Sequence, residues 1–270
     1  MDNTIGFIGG GRMAEALIQG IIKAKVFEPT QIVAADPDPN RRQTLAKQYG
    51  IATFAQATDF VGQCPTLILA VKPQVMGVVL DSIKASVTSA HLLISIAAGI
   101  PLSFMESHLS GCQCRLIRVM PNTPALVQEG ASALSPGSLA TEADMQQARA
   151  IFDAVGRSVV LAENYLDAVT GLSGSGPAYV FSFIEALIDG GVKVGLSRAD
   201  AQLLVLQTVL GSVKLAMETG EHPAQLRAMV TSPGGTTIAG LHELARAGFS
   251  GIIMDAVEAA TRRSQELGQS

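Results

Sequence analysis

The chain has 270 residues, 48% of them apolar and 16% charged, with a formal net charge of −4. That length favours two domains over one, and that balance belongs to compact globular chains, not disordered ones. With 19 basic against 23 acidic residues and no basic run longer than Arg41-Arg42 or Arg262-Arg263, nucleic-acid binding lacks its electrostatic footprint, which leaves small molecules and other copies of the chain as partners.

An apolar strand pattern begins at Ile5, too early for a signal or transit peptide, and no run of 18 purely apolar residues follows, so a cytosolic location is expected. Cys112 and Cys114 form a C-x-C, but three cysteines without a further Cys/His pair at ligand spacing read as reduced thiols. No metal site is expected. The histidines at 91, 108, 222 and 242 are scattered.

Spacing of apolar residues predicts strands over 5–9, 31–35, 66–71, 92–96 and 115–119, with helical stretches between several of them. Buried, non-alternating strands interleaved with helices imply a mostly parallel sheet covered on both faces. From about Leu166 the pattern turns helical, over 180–187, 201–217 and 252–260, and strand-like runs cease. Ser197 followed by Asp200 resembles a capping box, and Gly220 and Gly248 stand where helices would end. The boundary falls between Val160 and Asp167, giving an α/β domain over 1–163 and an all-α domain over 164–270.

The first predicted strand runs through Ile8 into Gly9-Gly10-Gly11-Arg12-Met13-Ala14, a G-x-G-x-x-A, and a helical stretch over 14–24 follows. Strand, glycine turn and helix in that order are the setting of a dinucleotide fingerprint, in which the backbone approaches a pyrophosphate and the helix amides receive it. Asp36, at the end of the second strand, has two readings: a partner for the ribose hydroxyls, favouring NADH, or the opening of the turn Asp36-Pro37-Asp38-Pro39-Asn40. Arg41 and Arg42 follow closely enough to serve as a phosphate clamp. Ala70-Val71-Lys72-Pro73 and Ala97-Ala98-Gly99 also sit at strand ends, where Lys72 either reaches a phosphate or ribose or is an ordinary solvated lysine. A third strand end, Met120-Pro121-Asn122-Thr123-Pro124, presents Asn122 in a stiffened turn.

Downstream, Thr231-Ser232-Pro233-Gly234-Gly235-Thr236-Thr237 precedes a helical pattern. Hydroxyls and glycine amides at a helix N-terminus make a carboxylate site, or else an N-cap joining two helices.

This segment resembles the signature of pyrroline-5-carboxylate reductases. So do Gly6 to Gly11, Ala70 to Pro73, Ala97 to Gly99, Met120 to Pro124 and Gly171-Leu172-Ser173-Gly174-Ser175-Gly176-Pro177-Ala178-Tyr179, in that family's order and across nearly the full chain. The resemblance implies an N-terminal Rossmann domain and a helical C-terminal dimerisation domain, with dimers often assembled into larger rings. It implies that Ile8, Gly9, Gly10, Gly11, Arg12, Met13, Asp36, the segments Ala70-Val71-Lys72-Pro73 and Ala97-Ala98-Gly99, and Asn122 hold NADPH, with NADH as the alternative. It places the substrate carboxylate near Ser232, Gly235, Thr236 and Thr237, with Glu163 close by. Asp36, where many members carry a small polar residue, departs from the pattern, as do Met229, Ala57 and Gly220. An imine carbon accepts hydride directly, so the site needs orientation, an anion cradle and one proton source, for which Thr237 is the candidate. Two rivals stand beside this reading. A β-hydroxyacid dehydrogenase would need a catalytic lysine that neither Lys193 nor Lys214 matches, and a redox sensor would leave the Ser232–Thr237 segment without a purpose.

Overall fold

The computed structural model describes residues 4–268. Among them eight strands form one sheet: β1 (Ile5–Ile8), β2 (Ile32–Ala35), β3 (Ala52–Phe54), β4 (Thr66–Leu69), β5 (Leu92–Ser95), β6 (Arg115–Met120), β7 (Gly130–Pro136) and β8 (Gly156–Val160). Their order is β3-β2-β1-β4-β5-β6-β7-β8, parallel throughout except for the antiparallel pair β6 and β7. The helices of this half are α1 (Arg12–Lys23), α2 (Pro39–Tyr49), α3 (Met76–Ile83), α4 (Leu102–His108), α5 (Glu142–Asp153) and the short α6 (Leu166–Val169).

The sheet is covered on both faces, as its continuous apolar strands require. Along β4, Ile68 packs with Phe7, Leu17, Ile18 and Phe152 on the α1 and α5 side, while Leu67 and Leu69 pack with Met76, Leu80 and Met105 on the α3 and α4 side. Alternation along a strand sends neighbours to opposite faces, so each face receives its own core. The α2 helix starts at Asp38, whose side chain accepts from the Asn40 amide at 2.8 Å, with Pro39 at the first helical position.

Three strands escape the sequence reading. β3 is short and partly exposed, and β8 is an edge strand with Val159 and Val160 exposed. β7, although buried along most of its length, is built of Ala and Ser, so it lacks the β-branched and aromatic residues that mark a strand.

By packing, the chain divides into two compact units, one of residues up to Ser175 together with the chain from Ala259, the other Gly176–Glu258. The first unit therefore runs past the expected division at 163 and 164: Leu166 is wholly buried, and Asp167 accepts from the Ser264 hydroxyl at 2.7 Å. A π-helical turn, Thr170–Gly174, leads to the end of this unit.

The second unit contains α7 (Gly176–Lys193), α8 (Arg198–Thr219), α9 (Pro223–Met229), α10 (Thr236–Arg246) and the first part of α11 (Phe249–Gly268). α7 and α8 approach closely at Gly191, where a Cβ would lie 3.0 Å from that of Ala201. Ser197 caps α8 as expected, accepting from the Asp200 amide at 3.1 Å, and Gly220 and Gly248 take φ of +66° and +76°. Among the described residues no helix is long and apolar enough to cross a membrane.

Candidate active site

The strand register assembles the cofactor end. Ile8 lies beside Ala35 on one side and Leu69 on the other, and Leu69 lies beside Ser95. Parallel strands in this register end together, so Gly9, Asp36, Ala70 and Ile96 begin four neighbouring turns at one edge of the sheet. The chain leaves β1 toward β2 on one side and later fills β4 on the other, making the β1/β4 edge a topological switch point, where open α/β sheets bind ligands.

Gly9 is fixed by this crowding. Its φ is +101°, and a Cβ would come within 2.5 Å of the Ala70 carbonyl oxygen, so only glycine fits. Gly11 differs: it precedes α1 with extended backbone, is exposed, and has open space where a Cβ would point, with nothing within 4 Å to obstruct a ligand. No side chain caps α1, whose first residues are Arg12, exposed, and Met13, half-buried. A pyrophosphate suits these open amides at a helix N-terminus.

Asp36 serves the turn. Its Oδ2 accepts from the Gly10 amide at 2.8 Å and its Oδ1 from the Asp38 amide at 2.9 Å. Arg42 donates to the carbonyls of Asp36 and Pro37 at 2.8 and 2.9 Å, again within the turn.

At the next strand ends Ala70, Val71 and Pro73 are half-buried and Lys72 is exposed, while Ala97 is buried, Ala98 exposed and Gly99 in the left-handed region at φ +73°. A cavity of about 910 Å³ opens here, with Pro73, Ala98 and Gly99 in its wall alongside Phe104 and His108. Three of the expected cofactor residues thus share one cavity.

Asn122 and Glu163 have internal work. The Asn122 side chain donates to the Ser173 carbonyl at 3.0 Å and accepts from the Ala131 amide at 2.8 Å, tying the π-helical turn to β7. Glu163 Oε1 accepts from the Leu102 amide at 2.7 Å and from Arg118 at 3.0 Å. Arg118, only 7% exposed, was legible in principle, because a charge inside an apolar strand such as Arg115–Met120 must find a partner. Among the described residues no group of three His, Cys, Asp or Glu side chains is placed to hold a metal ion.

In the second unit Gly235 is the N-cap of α10, whose first amides receive no side-chain cap. Its amide donates to the Ser232 carbonyl at 3.1 Å, and a Cβ on Gly235 would lie 2.3 Å from the Ser232 hydroxyl oxygen. The loop therefore folds Ser232 over the start of α10, beside Thr236, which is exposed, and Thr237, which is half-buried. Backbone amides at a helix start that no side chain caps are open donors.

A doubly wound sheet with this glycine turn, joined to a helical unit, is the plan of a two-domain nicotinamide-dinucleotide oxidoreductase. Residues 163–267 match the family described as pyrroline-5-carboxylate reductase dimerisation, and residues 4–99 match the one described as NADP oxidoreductase, coenzyme F420-dependent. The chain is 49% identical over 271 residues, covering 100% of both chains, to a pyrroline-5-carboxylate reductase of Methanosarcina acetivorans. It is 48% identical to that of Synechocystis over 269 residues, again 100% of both. It superposes on the crystal structure of a Plasmodium falciparum pyrroline carboxylate reductase with NADP bound, with TM-score 0.89, 35% identity and coverage of 99% and 98% of the two chains. The chain belongs to the pyrroline-5-carboxylate reductase family.

Proposed function

We infer that the chain reduces 1-pyrroline-5-carboxylate to L-proline, the final step of proline synthesis, as a cytosolic homodimer. Its cofactor is NADP(H), with NADH as an alternative reductant, and the bound reduced dinucleotide supplies a hydride to the imine carbon. The sheet unit forms the dinucleotide-binding domain and the helical unit the substrate-binding and dimerisation domain, and the dimers assemble further into a larger ring.

Ile8, Gly9, Gly10, Gly11, Arg12 and Met13 hold the pyrophosphate, with Asp36 shaping the turn. Ala70 to Pro73 and Ala97 to Gly99 line the rest of the dinucleotide, and Asn122 steadies the adjoining turn. Ser232 and the amides of Thr236 and Thr237 bind the substrate carboxylate, with Gly235 shaping the turn through its bond to the Ser232 carbonyl, and the ring is left oriented for attack from one face. The Thr237 hydroxyl donates a hydrogen bond to the ring nitrogen, which gains a proton as the carbon is reduced, and water replaces it. Glu163 acts at a remove, holding Arg118 and the start of α4.

The observation that carries this reading is the N-terminus of α10 beside the Ser232 hydroxyl: a helix start that no side chain caps. Thr237→Ala tests it, because the change removes one hydroxyl and no backbone amide. Following nicotinamide absorbance with pyrroline-5-carboxylate and each cofactor, kcat should fall by about tenfold or more with little change in KM. If kcat holds and only the melting temperature drops, Thr237 is a cap and not a proton donor.

A further inference from the structure

Two arginines shortly after Asp36 invite the reading that they clasp a 2′-phosphate. The geometry gives Arg41 a different role. We propose that it is a positioning residue, acting on the peptide of Gly10 and through it on the Gly11 amide, and not on a phosphate of the cofactor. The proposal rests on the dinucleotide use inferred above.

Gly10 is held from both ends. Its N–H donates to Asp36 Oδ2 at 2.8 Å, and its carbonyl accepts from Arg41 Nε at 2.8 Å and Nη2 at 2.6 Å. Across a planar trans peptide the carbonyl and the following N–H point in opposite directions. Drawing the Gly10 carbonyl onto Arg41 therefore turns the Gly11 N–H away from Arg41, at a residue that is exposed and has open space around it. The amide is presented before any ligand arrives, so no ordering of the turn is left for binding to offset.

Arg41 also disarms a charge. Glu15 lies in the first turn of α1, where a carboxylate would repel a pyrophosphate resting on the helix N-terminus. Arg41 Nη2 meets Glu15 Oε2 at 2.8 Å, and Tyr49 donates to Glu15 Oε1 at 3.2 Å. Burial, together with the Glu15 charge, pushes the Tyr49 phenol up, so it remains a protonated donor. The Arg41 and Glu15 side chains are 28% and 21% exposed, so the pair is partly shielded from screening. Nε and Nη2, the two nitrogens that form the fork on Gly10 and Glu15, are thus bound to acceptors inside the protein, and the glycine turn, not a phosphate, takes them.

A 2′-phosphate ligand and a turn-positioning residue differ in one measurable way, because only NADPH carries the phosphate. Dissociation constants for NADPH and NADH, measured by calorimetry on the full chain, should both rise about tenfold in Arg41→Ala, their ratio staying within about twofold of the parent's. KM for each cofactor should rise likewise, while kcat at saturating cofactor changes little. Arg41→Lys, retaining one charged donor, should recover part of the affinity for both, and adding Glu15→Gln to Arg41→Ala should recover another part by removing the exposed carboxylate. If Arg41→Ala melts below the assay temperature, Arg41→Lys carries the same comparison, with smaller but equal losses for the two cofactors. Loss confined to NADPH would make Arg41 a phosphate ligand and overturn the proposal, as would unchanged binding of both. Failure of the parent chain to bind either dinucleotide would overturn the cofactor reading itself, an outcome seen before any variant is compared.

Discussion

In the first compact unit β1, β4 and β5 are buried along their whole length and Phe7, Leu17, Ile68 and Phe152 are shielded from water, whereas in the second only Ala201 is buried among the described residues. Yet the second unit is no less apolar. Leu203, Leu204, Leu206 and Val213 of α8 are 67%, 52%, 47% and 52% exposed in the single chain. Apolar side chains on all sides of a helix need cover on all sides, and one chain supplies only part of it. The difference separates a domain that completes its core alone from one that completes it with a second copy, in keeping with the dimerisation family that residues 163–267 match.

The comparison breaks most decisively at α8. Leu203→Glu should place a charge into the dimer from each chain, at a cost of about 3–5 kcal/mol for each unpaired charge. We expect monomers by light scattering and loss of helical circular dichroism from the second unit; a variant that stays dimeric would show that α8 faces water. In the first unit the matching insult is Phe152→Ala, wholly internal to one chain. It should cost about 3–5 kcal/mol, read as a lower denaturant midpoint, with the dimer intact until the protein unfolds. Dissociation preceding unfolding in that variant would mean that the two cores are not independent.

What the sequence revealed follows the range of the interactions involved. The glycine turn was readable because its causes are local: strand, positive-φ glycine and helix succeed one another within about ten residues. The helical second half was readable from apolar spacing, and its part in dimerisation from the resemblance. β7 was not, since its small residues are buried by tertiary packing with no propensity of their own. The Asp36 carboxylate could be read two ways because its partner, the Gly10 amide, lies 26 residues away, and the Arg41–Glu15–Tyr49 cluster was invisible for the same reason. Glu163 was assigned beside the ligands by resemblance, while its contact with Arg118 spans 45 residues and emerges only from the fold.

The finest contrast lies between two helix starts, one in each unit. At the start of α5, Asp144 accepts from the Thr141 amide at 2.8 Å and its hydroxyl at 2.6 Å, and from Arg115 at 3.0 Å, with the residue only 6% exposed. At the start of α8, Asp200 accepts from the Ser197 hydroxyl at 2.6 Å but is exposed, and its cap is built without an arginine. Burial alone would raise the Asp144 carboxyl, yet the bonds from Thr141 and the Arg115 charge outweigh it and hold the group below the usual carboxylate range. A carboxyl depressed by folding stabilises the protein fully above its unfolded pKa of about 3.9, and that contribution is lost as pH falls through the lower folded value. Asp144→Asn should therefore cost about 1–2 kcal/mol between about pH 5 and 8, with the gap to the parent closing below about pH 4. Asp200→Asn should cost about 0.5 kcal/mol or less. Urea titrations of both variants across this range check the contrast. Equal losses at the two sites would mean that the arginine and the burial around Asp144 add nothing to an ordinary helix cap.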